Sequence, residues 1–426
     1  MHPDWLLDIL ARQSEDTAKS KEEKRWLARH DRRELLKLLE QGRSEELPQE
    51  MLDQEELWQL MDLDHRAVSV TQLEQYASCP FSYFLRYGLN IREREVLDVR
   101  PLDDGNVLHA LLENAGQELK ALVDLTDAEI EERMDRIQEE EQESFSRYKA
   151  SSRYQYYWNK LKKSAVRAMH VIQEQIRRGE FVPEVFEWTF GSSGARRSAL
   201  QIQLADGKSL MLMGKIDRVD VLREGTDSFV RILDYKTGRT KWNLWEIFEG
   251  VKLQLPLYME AYQEKEGGKP AGLFYFHLIP PVIKGDQKAE NPKREEQVLK
   301  SMQLDGILLD DPWIVEKMDE DLKEKSGNSK IIPAGLTKNG ALTANSSKAS
   351  EQQFQSLLAL AHHKAEELGQ GIAQGHVEPH PVKDGLSVTC DYCPYHSACR
   401  LDPAKDLQYL RRIDQHKDED FWETIL

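Results

Sequence analysis

The sequence predicts an α/β fold. Apolar runs of strand length gather in the middle of the chain, between about residues 185 and 280, and helix-prone stretches lie on either side of them. Another stretch, residues 242–266, reads as a helix set between two of the strands. At 426 residues and 40% hydrophobic content, the chain can bury a sizeable core, as one large domain or two ordinary ones.

Each element has its own local reason. Residues 1–65 are charged and helix-prone (KEEKRWLARHDRRELLKLLEQ), too polar to fold alone, and read as the end of something larger. A second helical zone runs from about 104 to 180 and opens DDGNVLHALLENAGQELKALV, where Asp103 or Asp104 is placed to cap the helix. Its middle, EIEERMDRIQEEEQESFSR, reads as a solvated acidic face. VFEWTFG then begins the strands, and SALQIQLADGKSLMLMGKIDRVDVL reads as a hairpin turning at Ala205-Asp206-Gly207. FVRILDYKTGRT follows, then the helix over 242–266 and the apolar strand AGLFYFHLI. Beyond a further helical stretch, KSGNSKIIPAGLTKNGALTANSSKAS is rich in Gly, Ser, Asn and Lys and reads as a mobile loop. A last helix over 350–375 leads into CDYCPYHSACRLDP.

A formal net charge of −17 argues against a protein that coats nucleic acid, though not against a nuclease with an acidic, cation-recruiting site. No apolar run is long enough to span a bilayer, and the amino terminus lacks the layout of a signal peptide. With four cysteines and no export signal, the expected compartment is the reducing cytosol.

The strand FVRILDYK carries Asp234 and Lys236 two residues apart, hence on one side of the sheet. Charge beside a core is costly unless it is paired or bound to a metal. Upstream, LMLMGKIDRVD delivers Asp217 at the end of another apolar strand. Two strand-end carboxylates and a lysine make a cup for Mg²⁺ or Mn²⁺, with the lysine able to orient water or stabilise phosphate charge. A structural Asp–Lys ion pair would give the same D-x-K. Gln254 and Tyr258 sit at i and i+4 on the following helix, as polar tips in an apolar stretch. His109 lies with Val107, Leu108, Leu111 and Leu112, either as a core histidine or as a metal ligand.

G-x-x-x-H (Gly105 to His109), G-x-I-D (Gly214 to Asp217), D-Y-K-T-G (Asp234 to Gly238) and Q-x-x-x-Y (Gln254 to Tyr258) together resemble the RecB-like branch of the PD-(D/E)xK nucleases. The resemblance implies a restriction-endonuclease-like core: a mixed central sheet with flanking helices and helical insertions. It implies that His109, Asp217 and Asp234 bind the divalent metal and that Lys236 is catalytic. Gln254 and Tyr258 would support the site or contact DNA, and Glu184 or Glu187 could add a ligand. Lysines of the 324–348 segment, with Arg239 and Lys241, are the expected phosphate contacts.

Cys390-x2-Cys393-x5-Cys399 forms a compact claw, and Cys79 lies about 310 residues earlier. By spacing alone, four thiolates suit zinc or an iron–sulfur cluster equally. One distant cysteine before the nuclease core and three after it resembles the [4Fe-4S] arrangement of the AddB-type chains of bacterial AddAB helicase–nucleases, and SVTQLEQYASCPFSYFLRYGL resembles that family's lead-in. This implies a nuclease over residues 66–400, a helical remnant over 1–65 and a tail over 401–426. It also implies an AddA-type partner and cleavage of the 5′-ended single strand during recombinational repair of double-strand breaks. The chain departs from the family in length and has no G-x-x-x-x-G-K-[ST] loop for ATP. Competing readings are a non-catalytic scaffold that docks DNA or a partner, and a stand-alone iron–sulfur exonuclease.

Overall fold

The computed structural model describes residues 58–92, 101–116, 123–140, 151–192, 198–205, 207–238, 240–279, 291–324, 326–414 and 416–426. Most of the helical remnant expected over residues 1–65 lies outside these, as do Arg239 and Asp206.

The lead-in consists of β1 (Val68–Ser69), α1 (Val70–Ser78) and α2 (Pro80–Tyr83). Ser69 caps α1 through a reciprocal pair with Gln72, and Pro80 allows a new start directly after Cys79. Three helices follow: α3 (Pro101–Gly116), α4 (Asp127–Glu140) and α5 (Ser152–Arg178). Since α3 already begins at Pro101, Asp103 and Asp104 lie within it rather than at the N-cap position. Helix α4 is solvated on one face only; Ile130, Met134 and Ile137 are buried on the other.

The strands are β2 (Val182–Phe190), β3 (Leu200–Gln203), β4 (Ser209–Glu224) and β5 (Asp227–Lys236), then β6 (Lys269–His277) after two helices, α6 (Leu244–Phe248) and α7 (Gln254–Glu266). The single helix expected over 242–266 is therefore split. Gly250 adopts a left-handed backbone (φ 78°) in the turn between the two pieces, a conformation that favours glycine. Helix α8 (Asn291–Ser301), β7 (Asp305–Leu309), α9 (Pro312–Met318) and α10 (Asp321–Glu324) come next.

The sheet is mixed. β4 pairs antiparallel with β2, β3 and β5 and parallel with β1; β5 and β6 are parallel, and β6 and β7 antiparallel. A parallel β5–β6 pair needs a crossover, and α6 with α7 supplies it. This brings Gln254 and Tyr258 back over the strand that carries Asp234 and Lys236. On one face of the sheet, Leu108, Leu111, Ile130, Met134, Trp158 and Met169 from the three long helices share a core with Leu233, Tyr235, Phe274 and Phe276. Helix α7 packs against β4, β5 and β6.

The polar segment after residue 324 does not run free of the core. It forms β8 (Gly327–Asn328), β9 (Gly335–Leu336) and β10 (Lys348–Ala349), the last adding parallel to β7. Ile331, Ile332, Leu336 and Leu342 are buried there, so four apolar anchors outweigh a loop-like composition. Helix α11 (Glu351–Ala373) then packs on α1, α7 and β3. A small sheet of β11 (Val382–Asp384), β12 (Ser387–Val388) and β13 (Arg411–Ile413) surrounds the claw, whose last turn is α12 (His396–Cys399). Within residues 401–426, β13 joins that sheet, and α13 (Asp418–Ile425) packs on α6 and α11. Among the described residues no helix is long and apolar enough to cross a membrane.

Candidate active site

Antiparallel pairing of β4 with β5 and of β4 with β2 sets three carboxylates around one point. Asp217 lies on β4 and Asp234 on β5, while Glu187 on β2 is flanked by the pairs Phe186↔Arg218 and Trp188↔Ile216, which put it beside Asp217. From α3, His109 Nδ1 reaches Asp217 Oδ1 at 3.2 Å and Glu187 Oε1 at 3.8 Å. The ligand atoms of His109, Glu187 and Asp217 lie within 4.8 Å of one another. Asp234 stands just outside that group, its Oδ2 2.5 Å from Lys236 Nζ.

The lysine is held from both sides. Besides Asp234, Lys236 Nζ donates to Gln254 Oε1 at 3.0 Å, and Gln254 Nε2 donates to Thr71 Oγ1 at 3.1 Å. Asp217 Oδ2 accepts the backbone N–H of Tyr235 at 2.5 Å, which ties β4 to β5 between Asp234 and Lys236. Tyr258 is buried, with its ring edge-on to Phe190. A Cβ at Gly214 would come within 2.6 Å of both rings, so the first residue of G-x-I-D is the space in which they pack.

The electrostatics follow from burial. Burial pushes the Asp234 carboxyl up to about 6, against the attraction of Lys236 and with the repulsion of Asp217. For Lys236, burial favours the neutral amine, but the Asp234 carboxylate outweighs it and the ammonium is held above its usual value. Burial likewise works against a charged His109, and the hydrogen bond and charge of Asp217 reverse that, so the imidazole is raised. Glu187 Oε2 and Asp234 Oδ2 are buried carboxylate oxygens, each contacted by a lysine ammonium, Lys215 and Lys236 respectively. Lone pairs of this kind, beside an imidazole, fit a hard divalent cation.

Two contributors were hard to see in the sequence. Glu187 holds φ 55° inside a strand, a conformation that costs a non-glycine residue about 1–2 kcal/mol and is typical of functional sites. Glu74, buried on α1, accepts the N–H groups of Leu253 and Gln254 at 2.6 and 2.9 Å and so caps the start of α7. Glu184 turns outward to pair with Arg223. Of the expected phosphate contacts, Lys330 pairs with Glu296 at 2.9 Å and Lys348 with Asp310 at 3.0 Å. On the opposite face of β4 and β5, the fully buried Arg218 and Arg231 share Asp220, which leaves a positive charge behind the acidic cup.

Cys79, Cys390, Cys393 and Cys399 line one cavity with Phe81, Pro381, His396 and Leu401, and all four are free thiols. Burial, then the neighbouring cysteines, pushes the Cys390 thiol up to about 12; Cys79 and Cys399 are also raised, chiefly by burial. Four thiols brought together this way fit a thiolate-bound metal, which would lower each of them. Hydrogen bonds close the same junction. Tyr76 Oη donates to His376 O at 3.0 Å, Tyr395 Oη to Ile91 O at 2.8 Å, and the Arg411 guanidinium to Ala77 O.

The chain resembles curated proteins named as the B subunit of an ATP-dependent helicase/deoxyribonuclease. The relative from Thermoanaerobacter sp. (strain X514) is 33% identical over 368 residues, 84% of this chain and 32% of the relative. That from Clostridium acetobutylicum is 33% identical over 370 residues, with the same shares. That from Caldanaerobacter subterraneus subsp. tengcongensis is 34% identical over 366 residues, 83% of this chain and 31% of the relative. The chain therefore spans about a third of the length of these relatives. The family model of the PD-(D/E)XK nuclease superfamily matches residues 67–400, a range that holds the cup, the crossover helix and all four cysteines, and the chain belongs to that superfamily.

Proposed function

We propose that this chain is the DNA-cutting part of a helicase–nuclease, and that it hydrolyses phosphodiester bonds of single-stranded DNA with a divalent cation. The observation that carries this is the cup itself: an imidazole and three carboxylates on paired strands, Asp217 in the middle of β4 rather than at its end, with two buried carboxylate oxygens each beside a lysine. His109, Asp217 and Glu187, with Asp234, would hold Mg²⁺ or Mn²⁺. The bound ion would lower the pKa of a water and neutralise charge on the scissile phosphate. Lys236, kept charged by Asp234 and aimed by Gln254, stands where it can orient that water or stabilise the phosphate oxygens. Thr71 and Glu74 hold Gln254 and its helix in place, and Tyr258 fills the floor.

The four cysteines would hold a [4Fe-4S] cluster as a clasp between the lead-in and the claw, with no part in the chemistry. An AddA-type helicase–nuclease would be the partner, and the 5′-ended strand from an unwound double-strand break the substrate. Labelled single-stranded DNA with purified protein tests the central claim. Cleavage with Mg²⁺, abolished by EDTA, is expected; DNA binding without cleavage in any divalent metal would leave a scaffold. Iron and sulfide analysis of anaerobically prepared protein tests the clasp, and stoichiometric zinc would replace the cluster.

A further inference from the structure

Helix α5 carries a surface that the site does not use. From Ser151 to Gln173 the chain has five Lys or Arg residues and no Asp or Glu, although the whole chain is at −17. The apolar residues Trp158, Leu161, Ala165, Ala168, Met169 and Ile172 are buried. Across the helix, Arg153, Tyr156, Tyr157, Lys160, Lys163 and Arg167 are exposed, at the three- and four-residue spacings that align side chains into one stripe. From Arg153 to Arg167 this stripe is about 21 Å long.

The composition of the stripe selects an occupant. A merely solvated helix face mixes both signs of charge, and an apolar docking face would not carry unpaired cations. Lys160, Lys163 and Arg167 form no ion pair among the described residues, whereas Lys162, on the flank, pairs with Asp135 at 3.0 Å. Tyr156 is 68% and Tyr157 39% exposed, with ring centroids 6.1 Å apart and the Arg153 guanidinium 5.8 Å over Tyr157. Cations at helical intervals with open aromatic rings between them are the makings of a platform for unpaired nucleic acid, whose bases stack on the rings while its phosphates meet the cations.

We propose that this face of α5 binds single-stranded DNA, with phosphates on Lys160, Lys163 and Arg167 and bases on Tyr156 and Tyr157; this rests on DNA being the substrate. Helix α5 packs on α3, which presents His109, and runs directly into β2, which presents Glu187. The helical layer that helps build the cup thus also carries the DNA-holding face.

The test is fluorescence anisotropy of the full chain with a labelled 20-residue oligo-dT and with an abasic 20-mer, both in EDTA so that nothing is cut. A Lys160→Gln, Lys163→Gln, Arg167→Gln variant should weaken both ligands and flatten the plot of log affinity against log salt by about 2, the share of three phosphate contacts on a single strand. Tyr156→Ala with Tyr157→Ala should weaken oligo-dT by about thirtyfold or more and leave the abasic strand unchanged. Tyr156→Phe with Tyr157→Phe should bind as the wild type does, which separates stacking from misfolding. An unchanged salt slope in the Gln variant, or equal loss on both ligands in the Ala variant, overturns the proposal. So does a Gln variant that keeps its DNA affinity but fails to assemble with a partner protein, since the face would then dock protein. Cleavage with Mg²⁺ is scored separately. Wild type that binds through this face yet cuts nothing sinks the nuclease reading alone, and wild type that cuts while the Gln variant binds normally sinks this one alone.

Discussion

Replacing Asp234 by Asn should stabilise the metal-free protein while abolishing cleavage. The Asp234 carboxyl is buried between Lys236 and Asp217, and it titrates at about 6 against an ordinary 3.8. Between those values the folded state keeps a proton that the unfolded state has released. Its contribution is therefore fully present below pH 3.8 and is lost as pH rises through 6. About two pH units at 1.36 kcal/mol each makes the ionised group cost about 3 kcal/mol at pH 8, and about 1.5 kcal/mol at pH 5. Asparagine keeps the shape and escapes the charge. In EDTA at pH 8 the variant should melt several degrees above wild type, and the gap should roughly halve at pH 5. Adding Mg²⁺ should raise the wild-type midpoint and close the gap, because ligand binding stabilises only the protein that can bind it. A variant that melts at or below wild type at pH 8 in EDTA would refute the reasoning, as would a gap that does not shrink on acidification.

Lys236→Ala should cut nothing yet still bind Mg²⁺, measured by calorimetry, because it removes the ammonium and leaves the four proposed ligands. Glu187→Gly should melt within about 1 kcal/mol of wild type, since glycine accepts the left-handed backbone at no steric cost, while Mg²⁺ affinity falls at least about tenfold. Gly214→Ala should destabilise by about 1–3 kcal/mol in urea titration, as its methyl enters the space of Phe190 and Tyr258. Cys393→Ala should release bound metal, lower the melting temperature and open residues 66–92 to protease. Closing a loop of about 310 residues stabilises by at most roughly 5–6 kcal/mol on the chain-entropy estimate.

The strands and the D-x-K pair were legible because Phe229–Lys236 is an apolar run of strand length, buried on both faces from Val230 to Tyr235, that ends with Asp234 and Lys236 on one face. Glu187 was harder to weigh against Glu184 because either glutamate of PEVFEWTFG looks like an outward strand residue; it is the β2–β4 register that sets Glu187 beside Asp217. Glu74 was invisible for a different reason. It acts on a helix some 180 residues away, and nothing in QLEQY distinguishes it from a solvated glutamate. The break at Gly250 was missed because apolar spacing continues across it. The segment after residue 324 misled because Ile331, Ile332, Leu336 and Leu342, which anchor it, are outnumbered by the polar residues around them.

The contacts that join the lead-in to the claw have a consequence in time. Tyr76 waits for His376, Ile91 for Tyr395, and Ala77 for Arg411, each pair some 300 residues or more apart. At about 5–20 residues per second of synthesis, the lead-in leaves the ribosome roughly 15–60 seconds before its partners exist. For roughly the first 180 residues of that interval Glu74 also has no helix to cap. The domain therefore cannot assemble from its lead-in outward: a chain stalled before residue 376 holds every residue of the cup but none of the three partners that tie down the lead-in.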